Sequence, residues 1–283
     1  MDTRKPEWLK KKIDLRALTE MQALLRSLSL HTVCEGADCP NRGECFKAGT
    51  ATFMILGNIC TRGCRFCAVS KGKPTPPDPC EPAHLADAAE KLKLKHVVIT
   101  SVTRDDLEDG GASQFAAVIR AVKNRIPATV EVLIPDFMGS ERALNKVIEA
   151  KPDIINHNLE TVPSLYNAVR PNAVYERSLE LLLRVKRSGI ISKTGIMIGL
   201  GETEREVLAL MDDIALRRCD MLTIGQYLRP SKDHIPVAEY VRPETFEAYK
   251  QAALEKGIRY VASAPLVRSS YNAAEGMEAV STI

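Results

Sequence analysis

Thr52-Phe53-Met54-Ile55-Leu56-Gly57-Asn58-Ile59-Cys60-Thr61-Arg62-Gly63-Cys64-Arg65-Phe66-Cys67 joins a short apolar strand to a loop carrying three thiols. Thiols separated by three and then two residues can wrap one inorganic nucleus from a single loop, which is how cysteine runs hold iron-sulfur clusters. A four-iron cubane given only three thiolates keeps one iron without a protein ligand, and an open metal position is where a small molecule can be activated. Gly63 is expected to supply a positive-φ turn. Phe66 sets an apolar ring beside the sulfurs, and Arg62 and Arg65 bring positive charge towards an anionic cluster. The competing reading is a structural zinc loop, but zinc knuckles use paired ligands at C-x2-C spacing and close at four.

Downstream of this loop the chain alternates between strand and helix. His96–Ser101, Val130–Ile134, Asp153–Leu159, Thr194–Leu200 and Met221–Gly225 read as strands, most of them continuous apolar runs. Between them lie helical patterns carrying Leu85, Ala88, Ala89 and Leu92; Phe115, Val118, Ile119 and Val122; Leu144, Val147 and Ile148; Leu179, Leu182 and Leu183; and Val207, Leu210, Met211 and Ile214. Unbroken apolar strands alternating with amphipathic helices predict an α/β fold with a covered parallel sheet. Six units give a partial (β/α)6 barrel, open on one side, whose functional face is formed by the loops after the strands. The cysteine loop follows the first strand and falls on that face. A further helix around Phe246–Leu254 and a strand at Arg259–Ala262 close the chain.

The other loops of this face carry Thr103-Arg104-Asp105-Asp106, Asn156-His157-Asn158 with Glu160 and Arg170 beyond, Gly199-Leu200-Gly201-Glu202, and Gln226, Tyr227 and Arg229. Such glycines and charges suit an amino-acid and nucleoside ligand. Helix capping by Glu202 or Thr203 and ordinary loop polarity are the plain alternatives. His157 reads as a hydrogen-bonded wall residue, and Cys80 and Cys219 as unliganded thiols.

At 283 residues and 45% hydrophobic, the chain can bury about three quarters of its unfolded surface in one sizeable domain. A formal charge of +3 lacks the basic excess of a nucleic-acid binder. Six of the eight cysteines fall in two tight triplets, which speaks for metal in a reducing compartment rather than for disulfides. Neither a secretory signal nor an apolar run of membrane-spanning length is evident, so a cytoplasmic protein with no membrane partner is expected. Residues 1–50 form an N-terminal extension. Within it, Leu15, Leu18, Met21, Leu25 and Leu28 mark an amphipathic helix, Lys10-Lys11-Lys12 a solvated face, and Trp8 an apolar anchor. The second triplet, Cys34-x4-Cys39-x5-Cys45, sits in a turning loop with Pro40, Asn41 and Gly43; a zinc site completed by His31 is the simple alternative.

The Cys60-x3-Cys64-x2-Cys67 spacing, with an aromatic before the last cysteine, resembles the radical S-adenosylmethionine enzymes. Taken with the front triplet, the ending Arg268-Ser269-Ser270-Tyr271, the opening Arg4-Lys5-Pro6-Glu7-Trp8-Leu9, and Thr100-Ser101-Val102, Asp109-Gly110-Gly111 and Asn156-His157-Asn158-Leu159-Glu160-Thr161, the chain resembles the lipoyl synthase family over essentially its whole length. It departs from the wider superfamily in lacking a glycine-glycine-glutamate element after the second strand, and Gly195–Glu202 follows the group's pattern only in part.

The resemblance implies two 4Fe-4S clusters and S-adenosylmethionine. Cys60, Cys64 and Cys67 would hold the radical-generating cluster, and Cys34, Cys39, Cys45 and Ser270 the auxiliary one, with Ser269 as the fallback ligand. An alkoxide is a harder ligand than thiolate, so the serine-held iron is expected to be the most easily released. Phe66, Thr100, Ser101, Asn158, Glu160, Arg170 and Gly199 are the candidate cofactor contacts. The implied reaction places sulfur at carbons six and eight of a protein-bound octanoyl chain. Implied partners are octanoylated lipoyl carrier domains of 2-oxoacid dehydrogenase complexes and the glycine-cleavage H protein, a low-potential donor such as flavodoxin or ferredoxin, and an iron-sulfur carrier that rebuilds the spent cluster. Residues 51–230 would form the barrel, and 231–283 an extension returning to the auxiliary cluster. Another sulfur-inserting enzyme such as biotin synthase, or a non-catalytic iron-sulfur or zinc carrier, are the alternatives.

Overall fold

The computed structural model describes residues 5–9, 31–32, 41, 50–271 and 273–281. Cys34, Cys39, Cys45, Lys10–Lys12 and the expected opening helix lie outside the described residues. The strands are β1 (His31–Thr32), β2 (Thr50–Ile55), β3 (Ile59–Cys60), β4 (Ser70–Lys71), β5 (His96–Ser101), β6 (Thr129–Leu133), β7 (Ile154–Asn156), β8 (Ile191–Ile198), β9 (Met221–Gln226) and β10 (Tyr260–Ser263). The main sheet runs β1-β2-β5-β6-β7-β8-β9-β10, a linear order in which β2 to β10 are parallel and β1 pairs antiparallel with β2. The sheet therefore curls as a partial barrel without closing, as the alternation predicts.

Two details differ from the reading of the sequence. A seventh parallel strand, β10, joins beyond residue 230, its Tyr260 opposite Met221 and its Ser263 opposite Ile224. Helix Pro243–Glu255 supplies the crossover that a parallel neighbour requires, and β9 offers a free edge to receive the strand. Trp8 is 42% exposed, so the anchor of the opening turn is instead Leu9, at 5%.

Helices form where periodicity and caps agree. Phe115, Val118, Ile119 and Val122 line the buried face of helix Ala112–Arg125. Ser140 caps helix Glu141–Glu149 by accepting from the Ala143 amide, and Thr203 with Glu206 makes a capping box at helix Glu204–Leu216. One core cluster spans β2, β5 and β6 with their helices, and a second the β8–β9 side. No helix among the described residues is long and apolar enough to cross a membrane.

The barrel interior is not wholly apolar. Glu131 on β6 accepts from the Lys193 ammonium of β8 at 2.9 and 3.0 Å and from the Asn156 amide of β7 at 3.3 Å, all three side chains being buried. Burial pushes the Glu131 carboxyl up, but Lys193 and His96 outweigh it and hold its pKa down at about 2. Removing one partner of a buried pair leaves an uncompensated charge and costs about 3–5 kcal/mol. Lys193→Met is therefore expected to lose about that much stability in urea unfolding at neutral pH. A depressed folded pKa gives stability that is present above the unfolded value near 4.5 and is lost as pH falls towards 2. The deficit of the variant should accordingly shrink below about pH 4.5, and a deficit independent of pH would reject the assignment.

Candidate functional site

The cysteine loop is bolted to the strand-end face by its own backbone and by Arg62. Thr61 donates its amide and its hydroxyl to the Thr103 carbonyl, both at 3.0 Å, and accepts from the Asp105 amide. The buried Arg62 guanidinium grips Asp105 through two bonds of 2.7 and 2.9 Å and donates to Asp136 at 2.6 Å. Its charge is thus neutralised by two carboxylates from the loops after β5 and β6, which corrects the expectation that Arg62 supplies positive field to a cluster. Arg65 is the exposed one of the two. Gly63 is also corrected: the positive-φ residues of this segment are Leu56, at +67°, and Gly57, at +87°. A Cβ on Gly63 would stand 3.1 Å from Cδ of Lys71, whose exposed side chain lies alongside it.

Cys60, Cys64 and Cys67 are free thiols of intermediate exposure. Burial pushes the Cys67 thiol up to about 11 against the opposing Val69 amide, with Cys64, Cys60 and Glu160 acting in the same direction as burial. Burial likewise raises the Cys64 thiol, opposed by Arg170. Cys64 thus lies in the fields of Glu160 and Arg170, and Cys67 in that of Glu160. Among the described residues no group of three His, Cys, Asp or Glu side chains converges as a single ion requires.

Next to the thiols is a buried polar wall from the end of β7. Asn158 donates its amide to Glu160 at 3.0 Å. Arg170 donates to the carbonyls of Asn158 and Leu159 at 2.9 and 3.1 Å and lies over the Tyr166 ring. Glu160 adopts φ +67°, a strained conformation for a non-glycine residue, and its carboxyl is pushed up by burial against Arg170 and Asn158. Ser101 Oγ, Asn158 Oδ1 and Arg170 Nε are buried with no hydrogen-bond partner. Buried polar atoms without partners are uncommon and costly, and three at one strand-end face fit a polar ligand of mixed charge. Phe66 packs with Val169, Leu200 and Tyr227, an apolar surface on the same side. The donor set, with three thiols, unsatisfied polar atoms and an aromatic wall, fits a cluster bearing an amino-acid nucleoside.

The serine tail returns to this wall. Asn158 donates to Ser269 Oγ at 2.7 Å, and the backbone before it is drawn in by Gly225, where a Cβ would sit 2.2 Å from the Val267 carbonyl oxygen. Asn41, which stands between Cys39 and Cys45 in the sequence, is 1% exposed and donates to the Leu266 carbonyl at 2.6 Å. Asn41 and the tail thus meet at the barrel mouth. Ser269 is engaged by Asn158, whereas Ser270 is half-buried beside it.

The remaining candidates have protein partners. Thr100 donates to the Leu133 carbonyl at 3.1 Å. Gly199 takes φ +92° beneath Glu239, its amide donating to Glu202 and its carbonyl accepting from Ala238. His157 is the wall residue expected: its Nδ1 faces the Ile134 carbonyl at 2.8 Å and its Nε2 the Ser178 hydroxyl at 3.0 Å. Burial, with Arg170 adding to it, lowers its pKa to about 4, so it is neutral. Asp136 was not singled out in the sequence. No local pattern marks it, because its partner Arg62 lies 74 residues away in the chain.

Residues 54–214 match the family model described as the radical SAM superfamily. Over 279 residues the chain is 60% identical to the lipoyl synthase of Caldanaerobacter subterraneus subsp. tengcongensis, covering 98% of each. It is 56% identical to that of Alkaliphilus metalliredigens, covering 97% of this chain and 96% of the relative. Among solved structures it resembles methylornithine synthase, with a TM-score of 0.56 at 13% identity over 86% of this chain and 81% of that one. Streptococcus suis SuiB bound to its precursor peptide gives a TM-score of 0.58 at 10% identity, covering 93% of this chain and 57% of that one. At such identities the likeness is one of fold.

Proposed function

The chain belongs to the lipoyl synthase family of the radical S-adenosylmethionine superfamily, and from that premise we propose how its residues divide the work. The family's reaction inserts sulfur at carbons six and eight of a protein-bound octanoyl-lysine to give lipoyl-lysine. It uses S-adenosylmethionine and two 4Fe-4S clusters, and its substrates are octanoylated lipoyl carrier proteins.

Cys60, Cys64 and Cys67 would hold the first cluster, and Cys34, Cys39, Cys45 and Ser270 the second. When bound, these groups supply a 5′-deoxyadenosyl radical and the sulfur. The protein's own task is to orient the ligands and to keep water from a radical that would attack its surroundings. Arg170 Nε, a donor without a partner, suits the carboxylate of S-adenosylmethionine, while Asn158 Oδ1, Ser101 Oγ and the Glu160 carboxyl suit its ammonium and hydroxyl groups. Phe66 would meet the nucleoside, and Thr100 and Gly199 would shape the strand ends below it.

The observation that carries the two-site reading is the 2.7 Å bond from Asn158 to Ser269, which ties the serine tail to the wall facing Cys64. Three ranges follow: an extension over 1–50, the barrel over 51–230, and an extension over 231–283 that contributes β10 before the tail. Carriers in 2-oxoacid dehydrogenase complexes and the H protein, a flavodoxin or ferredoxin as electron source, an iron-sulfur carrier and a cytoplasmic setting complete the proposal. Anaerobically reconstituted protein given dithionite, S-adenosylmethionine and an octanoyl-lysyl peptide should convert the peptide to its lipoyl form, read by mass. Release of 5′-deoxyadenosine without sulfur on the peptide would discard this assignment.

A further inference from the structure

Pro230–Glu239 lies as a strap across the cysteine loop. Ile235 donates its amide to the Arg65 carbonyl at 3.1 Å, and Ala238 donates to Gly199 at 2.9 Å. Tyr227 hydroxyl holds the Ile235 carbonyl at 2.7 Å, and Ile235 and Val237 pack into the apolar group around Phe66. Within this strap one side chain reaches a cysteine. His234 Nε2 stands 3.0 Å from the Cys67 carbonyl oxygen and must donate there, since a carbonyl only accepts. Its Nδ1 lies 2.8 Å from Ser231 Oγ, which itself accepts from the Asp233 amide at 3.2 Å. Ser231 can then donate to Nδ1, which fixes the tautomer that puts the proton on Nε2. Cys67 is held at its other end as well, its amide donating to the Cys64 carbonyl at 3.1 Å. Water could satisfy a carbonyl on a half-exposed loop, yet here a ring braced at both nitrogens does so. Groups that orient a metal ligand from behind in this way typically change metal affinity or activity by about 10–100-fold when removed.

We propose that His234 is a positioning residue for the radical-generating site: braced by Ser231, it fixes the Cys67 peptide and thereby the direction of the Cys67 thiolate. The inference rests on the reading of Cys67 as a cluster ligand and assigns a role to a loop outside the cysteine motif.

The test uses the full chain with Cys34, Cys39 and Cys45 replaced by alanine, reconstituted anaerobically, so that only one cluster loads. Iron loss to a ferrous chelator and the electron paramagnetic resonance spectrum of the reduced protein are read for this parent and for its His234→Ala, His234→Gln and Ser231→Ala derivatives. His234→Ala should speed iron loss about tenfold or more and alter the spectrum. His234→Gln, which keeps a donor, should return the rate to within about threefold of the parent. Ser231→Ala should fall between. A parent-like rate in His234→Ala overturns the proposal. So does a glutamine variant as impaired as alanine while the far-ultraviolet circular dichroism of all variants is the same. If the parent itself binds no iron, the ligand assignment of Cys67 has failed rather than the role of His234.

Discussion

Replacing Cys60, Cys64 and Cys67 together by alanine is expected to abolish formation of 5′-deoxyadenosine on addition of dithionite and S-adenosylmethionine, while the reconstituted protein should keep one cluster, about four irons per chain. The loss is complete because no other described group can stand in. Cys80 is exposed, at the N-terminus of helix Glu81–Lys91, and Cys219 is buried with its thiol donating towards the Ser192 carbonyl. The retention follows from the separation of the two ligand sets in the chain. Asn41 and the tail meet through Leu266, and the first loop is held by different contacts, those of Thr61 and Arg62. Iron analysis and the nucleoside assay on the same preparation check both halves. Loss of both clusters would show that the two sites do not assemble independently.

The barrel was legible in the sequence because most of its strands are largely apolar and its helices carry their buried residues at steps of three and four. Phe115, Val118, Ile119 and Val122 could be placed on one face without coordinates, and the structure puts them there. The cysteine loop was equally legible, since its spacing and its position after the first strand are local facts. What could not be read was long-range pairing. Arg62 looked like a free cation, yet its partners Asp105 and Asp136 lie 43 and 74 residues away. Gly63 looked like a turn glycine, but its φ is not positive, and what lies close to it is the side chain of Lys71 on β4. The bonds from Asn158 to Ser269 and from His234 to Cys67 span 111 and 167 residues, beyond the reach of any periodicity.

Ser270→Ala should preserve cofactor cleavage and lower sulfur transfer to an octanoyl-lysyl peptide by about 100-fold, the upper range for disturbing a metal's ligand environment. Three front cysteines leave a four-iron cluster one ligand short, and the tail brings two serines to the place where Asn41 holds it. Of these, Ser269 Oγ already accepts from Asn158, and a ligand oxygen committed to that bond would have to give it up to reach iron. Ser269→Ala should therefore act differently, weakening the seat of the tail while leaving measurable sulfur transfer. Ser270→Cys separates ligation from packing, because thiolate binds iron more softly than alkoxide and should hold it longer. In that variant iron loss to a chelator should slow while sulfur transfer falls, two changes in opposite directions that a packing defect would not produce. Full turnover in Ser270→Ala, with the loss appearing in Ser269→Ala instead, would move the ligand one residue along the tail.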